Sequence, residues 1–144
     1  MSGNGYAEES ILQVTTKCRD LRTLNLCRTW STDIILGSIA DNCKELESID
    51  ISRNQEITDD GLQLLLQKCT RLRVLGLSSC HRYITNKTIV NINNLCTELD
   101  VLDVSDNRFI TREVLLDNLL KRDKKPIRLL KSNFSFNMNE YMPL

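Results

Sequence analysis

The apolar positions of this chain follow a pattern that recurs four times. In each copy a cysteine is followed by apolar residues three, six and eight positions later, and the copy at Cys69 has the form C-x-x-L-x-x-L-x-L. The other copies begin at Cys18, Cys43 and Cys96. Because the side chains of a strand point to opposite faces in turn, the alternation that ends each copy predicts a short strand. The predicted strands cover residues 23–26, 48–51, 74–77 and 101–104.

A helix is predicted after each strand, ending near the next cysteine. A threonine lies 11 residues before the second, third and fourth of these cysteines. Its hydroxyl is suited to accept a bond from a free N–H group at the start of a helix. Apolar residues then recur at helical spacing, as Leu62 and Leu65 do in the second unit. The capping threonines are Thr32, Thr58 and Thr85.

These strand–loop–helix units predict an α/β fold, a right-handed solenoid with a parallel inner sheet and outer helices. One unit cannot bury its own apolar face, whereas stacked neighbours can. The first three units are 25, 26 and 27 residues long, and the growth lies in the loop between strand and helix. A solenoid tolerates insertions in such loops.

Three segments are predicted along the chain. Residues 1–17 have the helical half of a unit without its strand, so they are either an N-terminal capping helix or a truncated repeat. Residues 18–132 hold four to five repeats, the fifth of them degenerate. Residues 133–144, which include Phe134 and Phe136, are either a C-terminal cap or a tail.

Composition narrows the class of protein. The 144 residues carry a formal net charge of zero, so no global electrostatic attraction to nucleic acid or to an anionic membrane is expected. No apolar run approaches the roughly 18 residues of a membrane span, and no secretory signal is apparent at the N-terminus. We therefore expect a cytoplasmic or nuclear protein.

The four repeat cysteines are predicted to form a column of small buried groups. Metal ligands cluster around one point, whereas these residues are spread by one repeat each. Cys80 and His81 are adjacent in a loop, where neighbouring side chains point apart, so they are interpreted as loop residues. Cys27 is expected beside the sheet face as a small contact residue. No metal site and no cofactor are predicted.

A partner-binding surface follows from the alternation along the strands. Residues between the buried positions face solvent on the concave side of the sheet, and the loops that follow lie beside them. Trp30 is either an exposed interface residue or a seal against the first helix. The predicted partner-binding residues are Asn25, Arg28, Trp30, Asp50, Ser52, Arg53, Gly76, Ser78, Asp103, Ser105 and Asp106.

Catalysis is not predicted. Asp50 and Asp103 fall in one column of the sheet, but two strand spacings separate them by about 10 Å. Neither has a nucleophile or a histidine beside it, so contact with a partner is the favoured role. Phosphate-binding loops and nucleophile elbows are also lacking in the sequence.

The repeat resembles the cysteine-containing leucine-rich repeats. Its features are C-x-x-L-x-x-L-x-L-x-x-N/C, then I-T-D at Ile57, Thr58 and Asp59, then an apolar helix that ends at a cysteine. The resemblance covers residues 7–132. Proteins with such repeats include F-box substrate receptors of ubiquitin ligases and proteins like the antagonist of the mitotic exit network. It implies a non-enzymatic leucine-rich-repeat module, here expected without an F-box, that recognises proteins in ubiquitin-ligase or cell-cycle regulation.

A second hypothesis is a structural or assembly factor that holds a multi-subunit complex together. Solenoid ends expose apolar edges, so homodimerisation through the ends is a further expectation. The basic run from Lys121 to Lys125 is predicted to complement a helix dipole rather than to bind phosphates.

Overall fold

Five parallel strands and the helices between them form one stack of repeats in the computed structural model, which describes residues 4–80 and 82–130. The strands are β1 Thr23–Asn25, β2 Ser48–Asp50, β3 Val74–Gly76, β4 Val101–Asp103 and β5 Arg128–Leu129. The helices are α1 Asn4–Lys17, α2 Asp33–Asn42, α3 Asp59–Lys68, α4 Asn86–Leu95 and α5 Arg112–Leu115, which continues as the π-helical segment Leu116–Leu120.

The sheet confirms the repeat alignment. Its strands lie in chain order, and every neighbouring pair is parallel. The register joins residues at the same repeat position, for example Leu24 with Ile49 and Leu75 with Leu102. Each of the four predicted strands is one residue shorter than predicted.

The core lies between the sheet and the helices. Ile49, Leu75 and Leu102 point from the strands into it and are fully buried. On the helix side Leu36, Ile39, Leu62, Leu65, Ile89 and Ile92 are also fully buried. Successive helices pack side by side from α1 to α4, so each unit buries its apolar face against the next one.

The cysteine column is only partly as predicted. Cys43, Cys69 and Cys96 are buried, and the Cys69 thiol donates to the Cys43 carbonyl oxygen at 3.5 Å. The same pattern links the Cys43 thiol to the carbonyl oxygen of Cys18 at 3.7 Å. Cys18 itself is exposed, which corrects the prediction that all four are buried. It stands at the edge of the stack, where the described residues include no preceding strand to cover it.

A second column explains the I-T-D motif. The Asp33 carboxylate in α2 accepts bonds from the Thr58 backbone N–H at 2.9 Å and from its hydroxyl at 2.6 Å. Asp59 does the same for Thr85 one unit later, at 3.0 and 2.6 Å. At the start of the stack Glu8 of α1 accepts the Thr32 hydroxyl at 2.8 Å. The motif thus joins each helix to the next.

Two of the three predicted helix caps are confirmed. Thr58 caps α3 and Thr85 caps α4 as predicted, through bonds from the N–H groups of Gly61 and Lys87. Thr32 makes no such cap bond within the described chain, and its hydroxyl donates to Glu8. Val14 of α1 is exposed, although its spacing matched core positions of later helices.

The last unit departs from the repeat. Arg122 follows the π-helical segment and donates from Nη2 to the Cys96 carbonyl oxygen at 3.0 Å, the type of contact that a cysteine makes earlier. Burial lowers the pKa of this guanidinium. Lys124 donates to the Asn93 carbonyl oxygen in the last turn of α4 at 2.8 Å, in agreement with the predicted dipole interaction. The predicted tail, from Asn133 to Leu144, lies outside the described residues, and the three-segment division stays a prediction.

Candidate interaction surfaces

The solvent-facing side of the sheet holds a row of polar side chains at the last residues of β1, β2 and β4. Asn25, Asp50 and Asp103 use a side-chain oxygen to accept the backbone N–H two residues ahead, at 2.9, 2.9 and 3.0 Å. These bonds fix the turn that leaves the strand. Asp50 and Asp103 therefore have a structural role in addition to any contact with a partner.

Gly76 interrupts this row on β3. A Cβ atom there would lie 2.5 Å from Oδ1 of Asp50, so a side chain would displace that carboxylate. The turn after β3 is held differently, because the Ser78 N–H donates to the Ser52 hydroxyl at 3.0 Å. Ser52 is consequently 6% exposed, which corrects its assignment to the solvent-facing surface. Ser105 and Ser78 are half-buried and share a hydroxyl–hydroxyl bond of 3.0 Å.

The third residue after each of the first four strands has a left-handed backbone. Its φ angle is 61° at Arg28, 60° at Arg53, 57° at Ser79 and 57° at Asp106. The backbone N–H groups still extend the sheet ladder, as from Arg53 to the Ser78 carbonyl oxygen at 2.8 Å. Arg28, Arg53 and Asp106 have exposed side chains. Bulky residues rarely adopt this conformation, so the fold holds it in place through the ladder.

Buried polar side chains support the loops from below. Asn54 donates to the carbonyl oxygens of Leu26 and Ile51 at 2.8 and 2.9 Å, and its Oδ1 accepts the Ser31 N–H at 2.9 Å. Two units later, Asn107 donates in the same way to the carbonyl oxygens of Leu77 and Val104. Cys80 holds the equivalent place, where its thiol donates to the Ile51 carbonyl oxygen at 3.2 Å. These bonds join the turns of neighbouring units.

Aromatic side chains project from three of the four loops. Trp30 is 63% exposed, Tyr83 40% and Phe109 50%. Each lies two residues before the threonine that precedes the next helix, and Glu56 has this place in the second loop. We call these four residues the loop-edge row. Trp30 does not seal the first helix, so of its two predicted roles the exposed one agrees with the structure.

The opposite edge of the sheet is rich in ion pairs between units. Arg22 lies 2.9 Å from Glu47, Arg73 lies 2.8 Å from Asp100, and Lys125 also pairs with Asp100. The Lys125 ammonium and the Arg73 guanidinium lower the pKa of the Asp100 carboxyl. These groups are solvent-exposed, so each pair contributes little stability. They do neutralise the charges along this edge.

The described residues contain no group of three or more histidine, cysteine, aspartate or glutamate side chains that could hold a metal ion. Asp50 and Asp103 lie on strands that are separated by β3. His81, the only histidine of the chain, is outside the described residues. Within the described part of the chain, helices that are long and apolar enough to cross a membrane are also lacking.

Burial governs the chemistry of the thiols. It raises the pKa of Cys69 and Cys80 to about 11, and that of Cys96 to about 12. The nucleophile in thiol alkylation is the thiolate, so these groups are protected twice, by inaccessibility and by protonation. All six cysteines are free, and Cys18 is exposed.

We expect iodoacetamide to modify Cys18 rapidly in the native protein, with Cys27 next. Cys69, Cys80 and Cys96 should react only after unfolding in urea. Peptide mass spectrometry after a timed reaction at pH 8 measures the order, and a Cys18→Ser variant identifies the fast site. Rapid native labelling of Cys69 would contradict the buried column.

The sequence analysis assigned Trp30 to the partner surface but missed Tyr83 and Phe109. The signal was present, because counting two residues back from each threonine at 32, 58, 85 and 111 gives the loop-edge row directly. The row is not apparent when positions are counted forward from the cysteines, because the loops differ in length and equivalent loop residues then receive different numbers. The neighbouring arginines, Arg82 and Arg108, were missed for the same reason.

Comparison with known proteins places the chain among similar folds. No family model matches it. It is 29% identical over 107 residues to the F-box protein SKIP17 of Arabidopsis thaliana, a match that covers 70% of this chain and 22% of that protein. The chain thus spans less than a quarter of the length of this curated relative.

Three solved structures resemble this chain at low sequence identity. The leiomodin-1 actin-binding site 2 matches with a TM-score of 0.66 and 17% identity, over 84% of this chain and 76% of that chain. A chain of the Rad7 and Elc1 complex in yeast matches with a TM-score of 0.67 and 18% identity, over 86% of this chain and 30% of that chain. The tropomodulin C-terminal domain of Caenorhabditis elegans matches with a TM-score of 0.63 and 17% identity, over 92% of this chain and 87% of that chain. These likenesses show a shared α/β fold with a parallel sheet and helices.

Proposed function

We propose that this chain is a non-enzymatic protein-interaction module. The observation that carries the proposal is the solvent-facing side of the parallel sheet, where small polar and apolar side chains repeat at one position per unit. Such a face offers an extended surface of the kind that repeat proteins use to bind other proteins. The names of the similar proteins support this, since they include an actin-binding site and a two-protein complex.

The process that we favour is partner or substrate recognition in ubiquitin-ligase or cell-cycle regulation. The F-box protein among the relatives supports it, as does the cysteine-containing repeat itself. In this proposal the solenoid is right-handed, its sheet lines the concave face, and the protein works in the cytoplasm or nucleus without a cofactor. Parallel crossover connections are nearly always right-handed.

The alternative is a structural factor that holds a multi-subunit complex together. The β1 end of the stack favours it, because Leu21 before β1 and Leu24 within it are only partly buried. Their counterparts in the next three units are fully buried. Stable co-purification of several subunits in fixed stoichiometry, without a ubiquitin-ligase component, would support this alternative.

Sheet-face variants test the proposal. Arg128 on β5 shows that a long side chain fits at the first strand position, so Val74→Arg and Val101→Arg should fold while blocking the face. We expect the double variant to lose the partners that the wild-type chain captures from native cytosol, as measured by affinity purification and mass spectrometry. Val90→Arg on the exposed side of α4 is the matched control.

Charge on the same face is tested separately. Asp50→Asn and Asp103→Asn keep the turn-fixing acceptor, because Asn25 already performs this role on β1. Partners that survive the arginine substitutions as well as these changes would show that recognition lies elsewhere. Complete absence of captured proteins would contradict the interaction module itself.

A further inference from the structure

The four strand-to-helix loops at one edge of the stack hold more arginines than acidic residues. Each of the first four units contributes one arginine to the strand-to-helix loop, while these loops contain two acidic residues, Glu56 and Asp106. The loop arginines are Arg28, Arg53, Arg82 and Arg108. These loops therefore hold an excess of two positive charges, and Asp50 and Asp103 lie at the ends of the strands that precede two of them.

The arginines at this edge differ in their contacts. Arg82 pairs with Glu56 at 2.8 Å and lies over the Tyr83 ring at 5.0 Å. Arg108 lies 6.0 Å from the centre of the Phe109 ring. Arg28 and Arg53 are exposed and make no ion pair within the described residues. On the opposite edge, by contrast, Arg22, Arg71 and Arg73 are each paired with a carboxylate of a neighbouring unit.

Exposed aromatic rings and arginines therefore share the loops at one edge of the stack. The loop-edge row presents Trp30, Tyr83 and Phe109 at equivalent places, and the arginines stand within a few residues of each. Tryptophan, tyrosine and arginine are the residues that dominate binding energy in protein interfaces. A surface of this kind complements carboxylates and apolar side chains together.

We propose that the loop-edge row with Arg28, Arg53, Arg82 and Arg108 binds an acidic protein segment that carries apolar side chains. This inference rests on the proposed interaction function and specifies a second surface and the chemistry of its partner. The carboxylates of the segment pair with Arg28, Arg53 and Arg108, and its apolar side chains pack on the exposed rings. The sheet face remains available to the same partner.

A protein segment fits this edge better than single-stranded nucleic acid does. Nucleic acid carries a phosphate at every step, so a strand that followed the edge would place phosphates against Glu56 and Asp106. A protein segment can distribute its carboxylates to match the arginines and leave uncharged residues elsewhere. The zero net charge of the chain also provides no long-range attraction for a polyanion.

Tryptophan fluorescence tests the inference, because Trp30 is the only tryptophan of the chain. The probe is a short synthetic peptide in which glutamate alternates with leucine. We expect saturable binding that changes the Trp30 emission and weakens as the salt concentration rises. Replacing the leucines of the peptide with serine should weaken binding about tenfold, and replacing its glutamates with lysine should abolish it.

Variants locate the binding. Arg28→Asn with Arg53→Asn removes both charges, and asparagine tolerates the left-handed backbone of these positions, so the loops keep their conformation. This variant should bind the glutamate–leucine peptide about tenfold more weakly than wild type. Arg22→Asn with Arg71→Asn removes two charges from the opposite edge and should bind it normally. Circular dichroism confirms that both variants are folded.

Three results would overturn the inference. The first is the absence of saturable binding at peptide concentrations up to about 1 mM. The second is that the variant with Arg28→Asn and Arg53→Asn binds the peptide as tightly as the wild-type chain does. The third is that the wild-type chain binds single-stranded oligothymidylate more tightly than it binds the peptide. The purification experiment distinguishes failure of the proposed function from failure of this inference. A partner lost from the Val74→Arg and Val101→Arg variant but retained by the Arg28 and Arg53 variant would leave the interaction module intact and overturn only the loop-edge assignment.

Discussion

Replacing Leu75 with alanine is expected to destabilise the protein by about 3–5 kcal/mol, the largest single-substitution effect that we predict. Leu75 is fully buried at the centre of β3, between Ile49 and Leu102 in the sheet. Truncation removes apolar contacts and leaves a cavity that packed neighbours fill poorly. Because each unit is stabilised mainly by the units beside it, a defect at the centre weakens both halves of the stack.

The position of Leu24 on β1 provides the matched control. It has the same place in its strand, but it is only partly buried because β1 pairs with a strand on one side within the described residues. Leu24→Ala should therefore cost about 1–2 kcal/mol. Urea unfolding followed by circular dichroism measures both variants. Equal losses at Leu24 and Leu75 would contradict a core whose packing increases from the edge to the centre.

Asn54→Ala is expected to destabilise the protein by about 2–4 kcal/mol, although it removes no apolar contact area of importance. Asn54 is 1% exposed and joins two units through bonds to Leu26, Ile51 and Ser31. The Ser31 N–H would lose its acceptor in a buried place. A backbone donor that is buried without a partner costs about as much as the bond it has lost.

Two further variants separate this effect from a general loss of volume. Asn54→Cys should recover part of the stability, because Cys80 performs the same role in the third unit with a thiol. Asn107→Ala should cost less than Asn54→Ala, since the Oδ1 atom of Asn107 is without a bonding partner among the described residues and the side chain is 7% exposed. A larger loss at Asn107 than at Asn54 in urea unfolding would show that the bond network is not the cause.

Much of the architecture was predictable because its cause is local and repeated. The spacing of apolar residues after Cys43 or Cys69 determines which side chains enter the core, and the structure confirms the resulting parallel sheet. Thr58 and Thr85 were recognisable as helix caps from chain position alone. Regularity over four units made each of these inferences stronger than it would be for a single segment.

Other features depended on contacts between residues that are distant in the chain. Nothing local indicates that Thr32 bonds Glu8, that Ser52 is buried as the acceptor for Ser78, or that the carboxylate of Asp50 occupies the space above Gly76. The exposure of Cys18 likewise follows from its place at the edge of the stack rather than from its own segment.

The candidate surfaces show the same division. The repeat, most of the buried positions and the polar row on the sheet were predictable, because strand alternation and unit length can be counted in consecutive residues. The exposure of Trp30, Tyr83 and Phe109 became known only from the folded chain. The same holds for Arg28 and Arg53, which lack the ion pairs that arginines of the opposite edge make within the described residues. Exposure and charge pairing are set by which units stack together, and stacking brings together residues about one repeat apart.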